Sequence, residues 1–206
     1  MRDHGVGEYV AFLREACRSL SSTAAVVPSS RFLTSALVRP ANLGRAQVVV
    51  ELGPGTGAVT IEILRRLPPN GRLYAIELNR VFARRLRDRF HDPRLILINR
   101  NANELLSVIP RHDVGRVSAV ISSLGLTSME PRLRNSIVLQ ASNCLVQDGI
   151  MMQYQYVGGF EDISITPEMR LRRFRGRQFL RRYFREVSSS TVFLNLPPAF
   201  VFECRK

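Results

Sequence analysis

Residues that build covalent crosslinks or membrane spans are scarce in this 206-residue chain. Its three cysteines (Cys17, Cys144 and Cys204) are too few and too scattered for a disulfide framework or a zinc cluster, which favours a reducing compartment. No apolar run approaches the roughly 18 residues that cross a bilayer. The N-terminus also lacks the basic-then-apolar layout of a secretory signal. We therefore expect a cytoplasmic protein, or one that lies on a membrane surface.

Lysine is nearly absent, because Lys206 is the only one, so the basic charge is carried by arginine. The formal net charge is +13 and the pI is about 11.1. Such a charge calls for an anionic partner, either nucleic acid or an acidic lipid surface. A base-composition bias in the coding genome is the alternative explanation for the arginine excess.

The hydrophobic pattern predicts one α/β domain over residues 1–206, with 1–40 as an N-terminal helical extension. Amphipathic helices are predicted at 7–20 and from 31 toward 38. A serine, Ser29 or Ser30, is expected to cap the second of these. The predicted strands are 48–52, 72–77, 95–98, 117–121, 150–156, 190–194 and 199–203. Further helices are predicted after residue 57 and at 79–90, 131–145 and 168–187, with a turn at 147–149.

A glycine-rich stretch follows the first predicted strand. Glu51 precedes Gly53, Gly55 and Gly57, and an amphipathic helical segment comes next. Glycine is needed where the backbone takes positive φ or approaches a ligand closely, and a helix start offers unpaired amides. The spacing differs from the dinucleotide fingerprint G-x-G-x-x-G, and no Lys-Ser/Thr follows as in a phosphate loop.

The E-x-G-x-G-x-G pattern resembles motif I of the class I S-adenosylmethionine methyltransferases. The resemblance implies a seven-stranded, mostly parallel, doubly wound Rossmann-like sheet. It also implies that the loop wraps the methionine part of S-adenosylmethionine while Glu51 faces its ammonium group. The product would be S-adenosylhomocysteine, and no metal is expected.

Two acidic or polar positions downstream extend this interpretation. Glu77, at the end of the second predicted strand, is expected to accept hydrogen bonds from both ribose hydroxyls. Asn101 stands where many methyltransferases have aspartate, and its carbonyl can accept from the adenine amino group. The predicted cofactor residues are Ser29, Ser30, Glu51, Gly53, Gly55, Thr56, Gly57, Glu77, Leu78, Asn101, Ala102 and Ser122.

Four segments together resemble a narrower family, the soluble bacterial phospholipid N-methyltransferases, which are relatives of the rRNA adenine dimethyltransferases. The segments are 26–31, 51–57, 121–124 and 194–199. The resemblance implies stepwise methylation of phosphatidylethanolamine to its monomethyl, dimethyl and trimethyl forms. The chain departs from the family at Gly125, where proline is usual, and at Asn101.

Three alternatives stay open. Ornithine lipid also presents a primary amine, an RNA adenine methyltransferase would use the basic surface, and a non-catalytic cofactor-binding protein would explain both departures. Enzymes that methylate planar nitrogens usually carry Asn or Asp, then Pro-Pro and an aromatic, after the fourth strand. Ser122-Ser123-Leu124-Gly125 offers none of these groups, which disfavours such a substrate.

The sequence defines the residues that would bind the methyl-accepting amine less clearly than those that would bind the cofactor. No His/Asp pair is evident, and alignment of an activated methyl donor can supply much of the rate. Tyr154, Tyr156 and Tyr9 are candidates to orient the amine or accept its proton, although each also suits a packing role. Arginines within 172–182 are expected to bind the lipid phosphate.

Two segments predict contact with the inner face of the cytoplasmic membrane. One is the amphipathic helix at 7–20, and the other is the segment 170–185, which holds eight arginines interleaved with apolar and aromatic residues. Packing on the domain or simple solvation would explain either segment without a membrane. The partners expected are an amine lipid and an anionic membrane surface rather than nucleic acid, with a monomeric protein.

Overall fold

A single seven-stranded sheet organises the computed structural model, which describes residues 30–156, 176–195 and 198–206. The spatial order is β3-β2-β1-β4-β5-β7-β6. Strands β1 to β5 are parallel to their neighbours, and β7 runs antiparallel to both β5 and β6. The strands are β1 Val48–Leu52, β2 Arg72–Ile76, β3 Leu95–Ile98, β4 Val117–Ser122, β5 Leu145–Tyr156, β6 Glu186–Val192 and β7 Ala199–Arg205. The predicted seven-stranded, mostly parallel sheet is confirmed.

The described helices are α1 Arg31–Val38, α2 Ala58–Arg66, α3 Arg80–Arg89, α4 Leu105–Val108, α5 Pro131–Cys144 and α6 Gly176–Leu180. Helices α2 to α5 connect successive parallel strands, whereas α1 precedes β1 and α6 precedes β6. Short 3-10 turns occupy Arg39–Ala41, Leu43–Arg45, Ala102–Glu104 and Leu126–Ser128. Ser30 caps α1, since its hydroxyl accepts a hydrogen bond from the Leu33 amide, so the predicted serine cap is confirmed.

Apolar layers cover both faces of the sheet, so all five residues of β1 are buried. One layer contains Leu33 and Leu37 of α1 and Ile63 of α2. The other includes Leu105 of α4 and Ile137 of α5. Residues 30–40 of the predicted extension therefore contribute to the domain core. The predicted helix at 7–20 lies outside the described residues.

The sheet departs from the sequence prediction at its antiparallel end. Strand β5 starts at Leu145, not 150, because the expected turn is a bulge at which Asp148 takes a φ of +60° while pairing with β4 continues. Strand β6 starts at Glu186, not 190, because it pairs with β7 through its whole length. The predicted helix 168–187 is therefore too long, and its described part is α6 alone.

The amino ends of the parallel strands carry a closed polar network. Asp113, which is 3% exposed, accepts hydrogen bonds from the Tyr74 hydroxyl at 2.6 Å and from Arg72 Nη1 at 3.3 Å. Nearby, Lys206 Nζ donates to the Leu145 carbonyl at 2.7 Å. These buried oxygens are satisfied within the protein.

Candidate functional site

The glycine loop, residues 53–57, joins the end of β1 to the start of α2. Strand register places Leu52, the last residue of β1, level with Ile76 of β2 and with Ser122 of β4. Ser122 is in turn level with Gln153 of β5. In open α/β sheets, ligands bind in the crevice beyond such carboxyl ends. The predicted site residues on β1, β2 and β4 therefore meet at one edge of the sheet.

Backbone conformation explains the glycines. Gly53, Gly55 and Gly57 have φ values of +72°, +55° and +83°. A Cβ on Gly53 would lie 2.7 Å from Leu124 Cδ2, and one on Gly57 would lie 2.7 Å from Phe90 Cε2. Side chains here would therefore be strained and would collide with their neighbours. The loop therefore presents backbone rather than side chains at the start of α2.

Glu51 is fully buried beneath this loop. Its Oε2 accepts a hydrogen bond from the Thr60 hydroxyl at 2.7 Å, whereas its Oε1 is buried without a partner. Burial raises the pKa of Glu51 to about 8, the Thr60 bond opposes the rise, and the Glu77 carboxylate adds to it. A buried unpaired carboxyl oxygen is costly unless a cation reaches it. Glu51 thus fits the ammonium end of an amino-acid ligand.

Glu77, just beyond β2, is tied to the same loop and is 7% exposed. Its Oε2 accepts from the Gly55 amide at 2.9 Å and its Oε1 from the Asn79 amide at 2.8 Å. Each oxygen keeps a lone pair, so the carboxylate can also accept from two hydroxyls. Leu78 follows it and is 65% exposed. Asn99 donates to the carbonyls of both Glu77 and Leu78, which fixes this turn.

The end of β3 supplies Asn101 and Ala102. Asn101 starts a 3-10 turn, and its side-chain oxygen accepts from the Asn103 amide at 3.2 Å. Glu104 completes a reciprocal cap by accepting from the Asn101 amide. Local capping therefore uses one lone pair of the Asn101 oxygen and leaves the other for a ligand. Adenine binding by Asn101 and Ala102 stays a prediction.

The end of β4 holds further unpaired polar groups. Ser123 donates its amide to the Leu52 carbonyl, but its hydroxyl is buried without a partner. Gln153, which is 2% exposed, donates its Nε2 to the carbonyls of Leu124 and Tyr154, which fixes the orientation of the amide, and its Oε1 is left unpaired. Ser122 is fully buried, and its hydroxyl accepts from the Leu124 amide at 3.4 Å. Gln153 was missed by sequence reasoning, although it is a single polar residue after the buried run Ile150-Met151-Met152.

Two of the three candidate tyrosines are described. The rings of Tyr154 and Tyr156 pack edge to face with centroids 5.1 Å apart. Both pack against the core layer that contains α1 and α2. Their catalytic roles stay predictions, and Tyr9 lies outside the described residues.

The start of α1 lies against the β6–β7 connection. The Ser30 hydroxyl donates to the Leu194 carbonyl at 3.2 Å, and the Ser30 amide donates to Asn195 Oδ1 at 3.1 Å. These contacts join two of the segments on which the family resemblance was based. Cofactor contact by Ser30 stays a prediction, and Ser29 lies outside the described residues.

The described arginines of segment 170–185 lie away from the glycine loop. Arg177 donates to the Val187 carbonyl at 3.1 Å near the start of β6. Arg181 and Arg185 line an open cleft of about 470 Å³ together with Arg205, at the end of the sheet where β6 starts. Strand register places this end level with the amino half of β1. The arginines at 170, 172, 173 and 175 lie outside the described residues.

Within residues 30–156, 176–195 and 198–206, no group of three or more His, Cys, Asp or Glu side chains is arranged to hold a metal ion. No helix in those ranges has the length and apolarity needed to span a bilayer.

Comparison with known proteins relates this site to methyl transfer. The family model for ribosomal RNA adenine dimethylases matches residues 29–106. An ornithine lipid N-methyltransferase of Singulisphaera acidiphila is 29% identical over 199 residues, which cover 96% of each chain.

Solved structures show the same fold. A precorrin-6y C5,15-methyltransferase from Geobacter metallireducens has a TM-score of 0.64 and 19% identity, over 88% of this chain and 92% of the other. A 1,6-didemethyltoxoflavin-N1-methyltransferase from Burkholderia thailandensis, crystallised with S-adenosylhomocysteine, has a TM-score of 0.61 and 20% identity. That match covers 97% of this chain and 89% of the other.

Proposed function

We propose that this chain, a class I S-adenosylmethionine-dependent methyltransferase, transfers methyl groups to the primary amine of ornithine lipid. The observation that carries this proposal is the likeness to an ornithine lipid N-methyltransferase over 96% of both chains. Phosphatidylethanolamine, the acceptor implied by the sequence resemblance, is the competing substrate. Both lipids present a primary amine beside an anionic group.

The family match does not extend to the segment in which we expect the acceptor. The adenine dimethylase model ends at residue 106, before β4 begins at Val117. It therefore spans the glycine loop, Glu77 and Asn101 but not the segment after β4, so it does not favour an RNA acceptor over a lipid. That segment, Ser122-Ser123-Leu124-Gly125, lacks the groups that hold a planar nitrogen. RNA adenine methylation remains the second candidate because of the same family match.

The proposed cofactor site uses the groups at the carboxyl edge. The bound cofactor supplies a methyl group already activated on a sulfonium. We assign its ammonium group to Glu51, its ribose hydroxyls to Glu77 and its adenine to the Asn101–Ala102 turn. The glycine loop, with Thr56, lies along the methionine chain, and Leu78 and Ser122 line the site. We propose that Ser29 and Ser30 also contact the cofactor, as the family resemblance implies.

The acceptor amine needs a free lone pair and an in-line approach to the methyl group. Ser123 Oγ and Gln153 Oε1 are buried hydrogen-bond acceptors without partners at the carboxyl edge, near the level at which β1 ends. We propose that they hold the ammonium form of the amine through its N–H groups and align its nitrogen. A water molecule that Tyr154, Tyr156 or Tyr9 orients then accepts the proton from the ammonium group. Replacing Tyr154, Tyr156 and Tyr9 one at a time with phenylalanine, and measuring methyl transfer by each variant, tests which tyrosine has this role.

The direct test is incubation of the purified chain with labelled S-adenosylmethionine and separate preparations of ornithine lipid, phosphatidylethanolamine and RNA. We expect label in ornithine lipid and loss of that label in Glu77→Ala. Label in phosphatidylethanolamine alone would identify that lipid, instead of ornithine lipid, as the acceptor. Label in RNA alone, or none in any lipid despite cofactor binding, would contradict the proposal.

A further inference from the structure

Exposed apolar side chains are concentrated at one edge of the sheet. Seven large hydrophobic residues are exposed in the described part of the chain: Phe32, Leu78, Val81, Ile96, Leu139, Phe193 and Leu194. All but Ile96 and Leu139 belong to segments at the carboxyl edge of the parallel strands, where the glycine loop lies. Leu78 adjoins Glu77, and we expect the bound nucleoside to cover it. The remaining apolar surface at this edge has no covering element among the described residues.

Phe193 and Leu194 lie beyond the level at which the glycine loop starts. They follow Val192, which pairs through Ala199 of β7 with Tyr156 at the end of β5. Tyr156 is three residues beyond Gln153, which is level with the end of β1. At about 3.3 Å per residue, the strand ends rise ~10 Å beyond the level at which the glycine loop starts. The side chains at their tip are 77% and 67% exposed.

Phe193 and Leu194 lie in a segment that is hydrogen-bonded to the start of α1. The Ser30 bonds to Leu194 and Asn195 hold the two segments together. Arg31 and Phe32 come next in the chain, with the guanidinium carbon 4.8 Å from the Phe32 ring centroid. Arg31 is exposed and Phe32 is 41% exposed. We call Arg31, Phe32, Phe193 and Leu194 the apolar tip.

We propose that the apolar tip inserts into the surface of a bilayer that contains anionic lipid, so that the mouth of the glycine-loop site faces the headgroups. This inference deepens the proposed function and rests on a lipid being the substrate. Aromatic and aliphatic side chains enter the interface, while an adjacent arginine pairs with anionic headgroups. The net charge of +13 adds a general attraction to such a surface.

The position of the tip gives it a mechanical role. A headgroup amine is tethered to its acyl chains, so the methyl donor must come to the membrane surface. Because the strand ends at the tip rise ~10 Å beyond the level of the glycine loop, insertion of Phe193 and Leu194 would hold that loop close to the headgroups without exposing the core. The Arg181–Arg185–Arg205 cleft lies at the other end of the sheet, so in this orientation it faces away from the membrane.

Vesicle binding by the full chain tests the tip. The double variant Phe193→Ser/Leu194→Ser is compared with Leu139→Ser, which removes an apolar side chain that is 48% exposed on α5. We expect sedimentation with vesicles of phosphatidylglycerol and phosphatidylcholine to weaken at least tenfold in the double variant. The Leu139→Ser control should stay within twofold of the wild type. Calorimetry with S-adenosylhomocysteine should give wild-type affinity in both, which shows that both are folded.

The vesicles contain no amine acceptor, so this result is independent of catalysis. Wild-type vesicle binding by the double variant would overturn the proposal. A dimer of the wild-type chain that the double variant loses would also overturn it, because the tip would then be a self-association surface. Wild-type binding to vesicles without methylation of any lipid would instead contradict only the proposed function.

A second comparison separates insertion from chemistry. Ornithine lipid in detergent micelles should be methylated equally by the wild type and by the double variant. The same lipid in vesicles should be methylated at least tenfold more slowly by the double variant. Equal losses in micelles and vesicles would assign Phe193 and Leu194 to the substrate site and overturn membrane insertion.

Discussion

The two edges of the parallel strands differ in whether their buried polar groups have hydrogen-bond partners. At the amino edge, Asp113 is paired with Tyr74 and Arg72. At the carboxyl edge, three buried oxygens on Glu51, Ser123 and Gln153 have no partner. Because an unpaired buried oxygen costs free energy, we infer that the carboxyl edge binds a ligand and that the amino edge contributes to stability. The predictions below test that division, from the largest expected effect to the smallest.

Valine at position 53 should have the largest effect. Because Gly53 has a φ of +72° and a Cβ there would lie 2.7 Å from Leu124 Cδ2, Gly53→Val should force the loop out of its conformation. We expect the affinity for S-adenosylhomocysteine to fall at least about 100-fold, equivalent to about 2.8 kcal/mol, by calorimetry.

Gly115→Ala is the matched control at the amino edge. Gly115 also has a positive φ, +77°, but a Cβ there would meet nothing within 4 Å. Strain without a clash should lower stability by about 1 kcal/mol and leave cofactor affinity within twofold. Equal losses of affinity in the two variants would contradict a ligand site at 53–57.

Cofactor affinity should depend on pH through Glu51. With its pKa raised to about 8, the free protein carries this carboxyl protonated at neutral pH. Pairing with an ammonium expels that proton, so affinity should rise by up to about tenfold per pH unit from pH 6 and level off near pH 8. Calorimetric titrations with S-adenosylhomocysteine at pH 6, 7 and 8 measure the slope.

Two controls isolate the ammonium. Methylthioadenosine has no amino-acid part, so its affinity should be flat across this range, and Glu51→Gln should flatten the slope for S-adenosylhomocysteine. Parallel slopes for the two ligands would exclude Glu51 as the ammonium partner.

The raised pKa of Glu51 also makes the stability of the folded protein depend on pH. The unfolded chain loses this proton near pH 4.5 and the folded chain near pH 8, so stability falls between these values. The Tm of the wild type should therefore fall relative to that of Glu51→Gln as the pH is raised from 5 to 8.

Ser123→Ala should act on the acceptor alone. Loss of one hydrogen bond, about 1 kcal/mol, should raise the KM for ornithine lipid about fivefold with little change in kcat. Ser142→Ala is the control, because that hydroxyl already donates to the Tyr183 carbonyl at 3.0 Å. It should lower stability without changing KM. An unchanged KM in Ser123→Ala would remove Ser123 from the acceptor site.

Tyr74→Phe should have the smallest effect on function. It removes the 2.6 Å bond to Asp113 but leaves the Arg72 contact. We expect a loss of about 1 kcal/mol in the free energy of unfolding, measured by urea denaturation, and unchanged cofactor affinity. Weaker cofactor binding would mean that the two edges are coupled.

The sequence predicts the parallel half of this fold well because its strands are short apolar runs that end in polar residues. Glu51 and Glu77 could be placed at the edge for that reason, although no sequence pattern reveals that Glu51 Oε1 is buried without a hydrogen-bond partner. Strand β6 starts four residues before the predicted position because Ser188 and Ser189 give little β signal, and its start is fixed by pairing with β7. The Ser30–Asn195 bond joins residues 165 positions apart and has no local pattern.

Hydrogen–deuterium exchange with and without S-adenosylhomocysteine separates the two edges most directly. We predict that the ligand slows exchange in peptides covering 52–57, 77–79 and 101–104, and leaves peptides covering 110–116 and 203–206 unchanged. No protection at 52–57, or equal protection at both edges, would contradict the assignment of the carboxyl edge as the cofactor site.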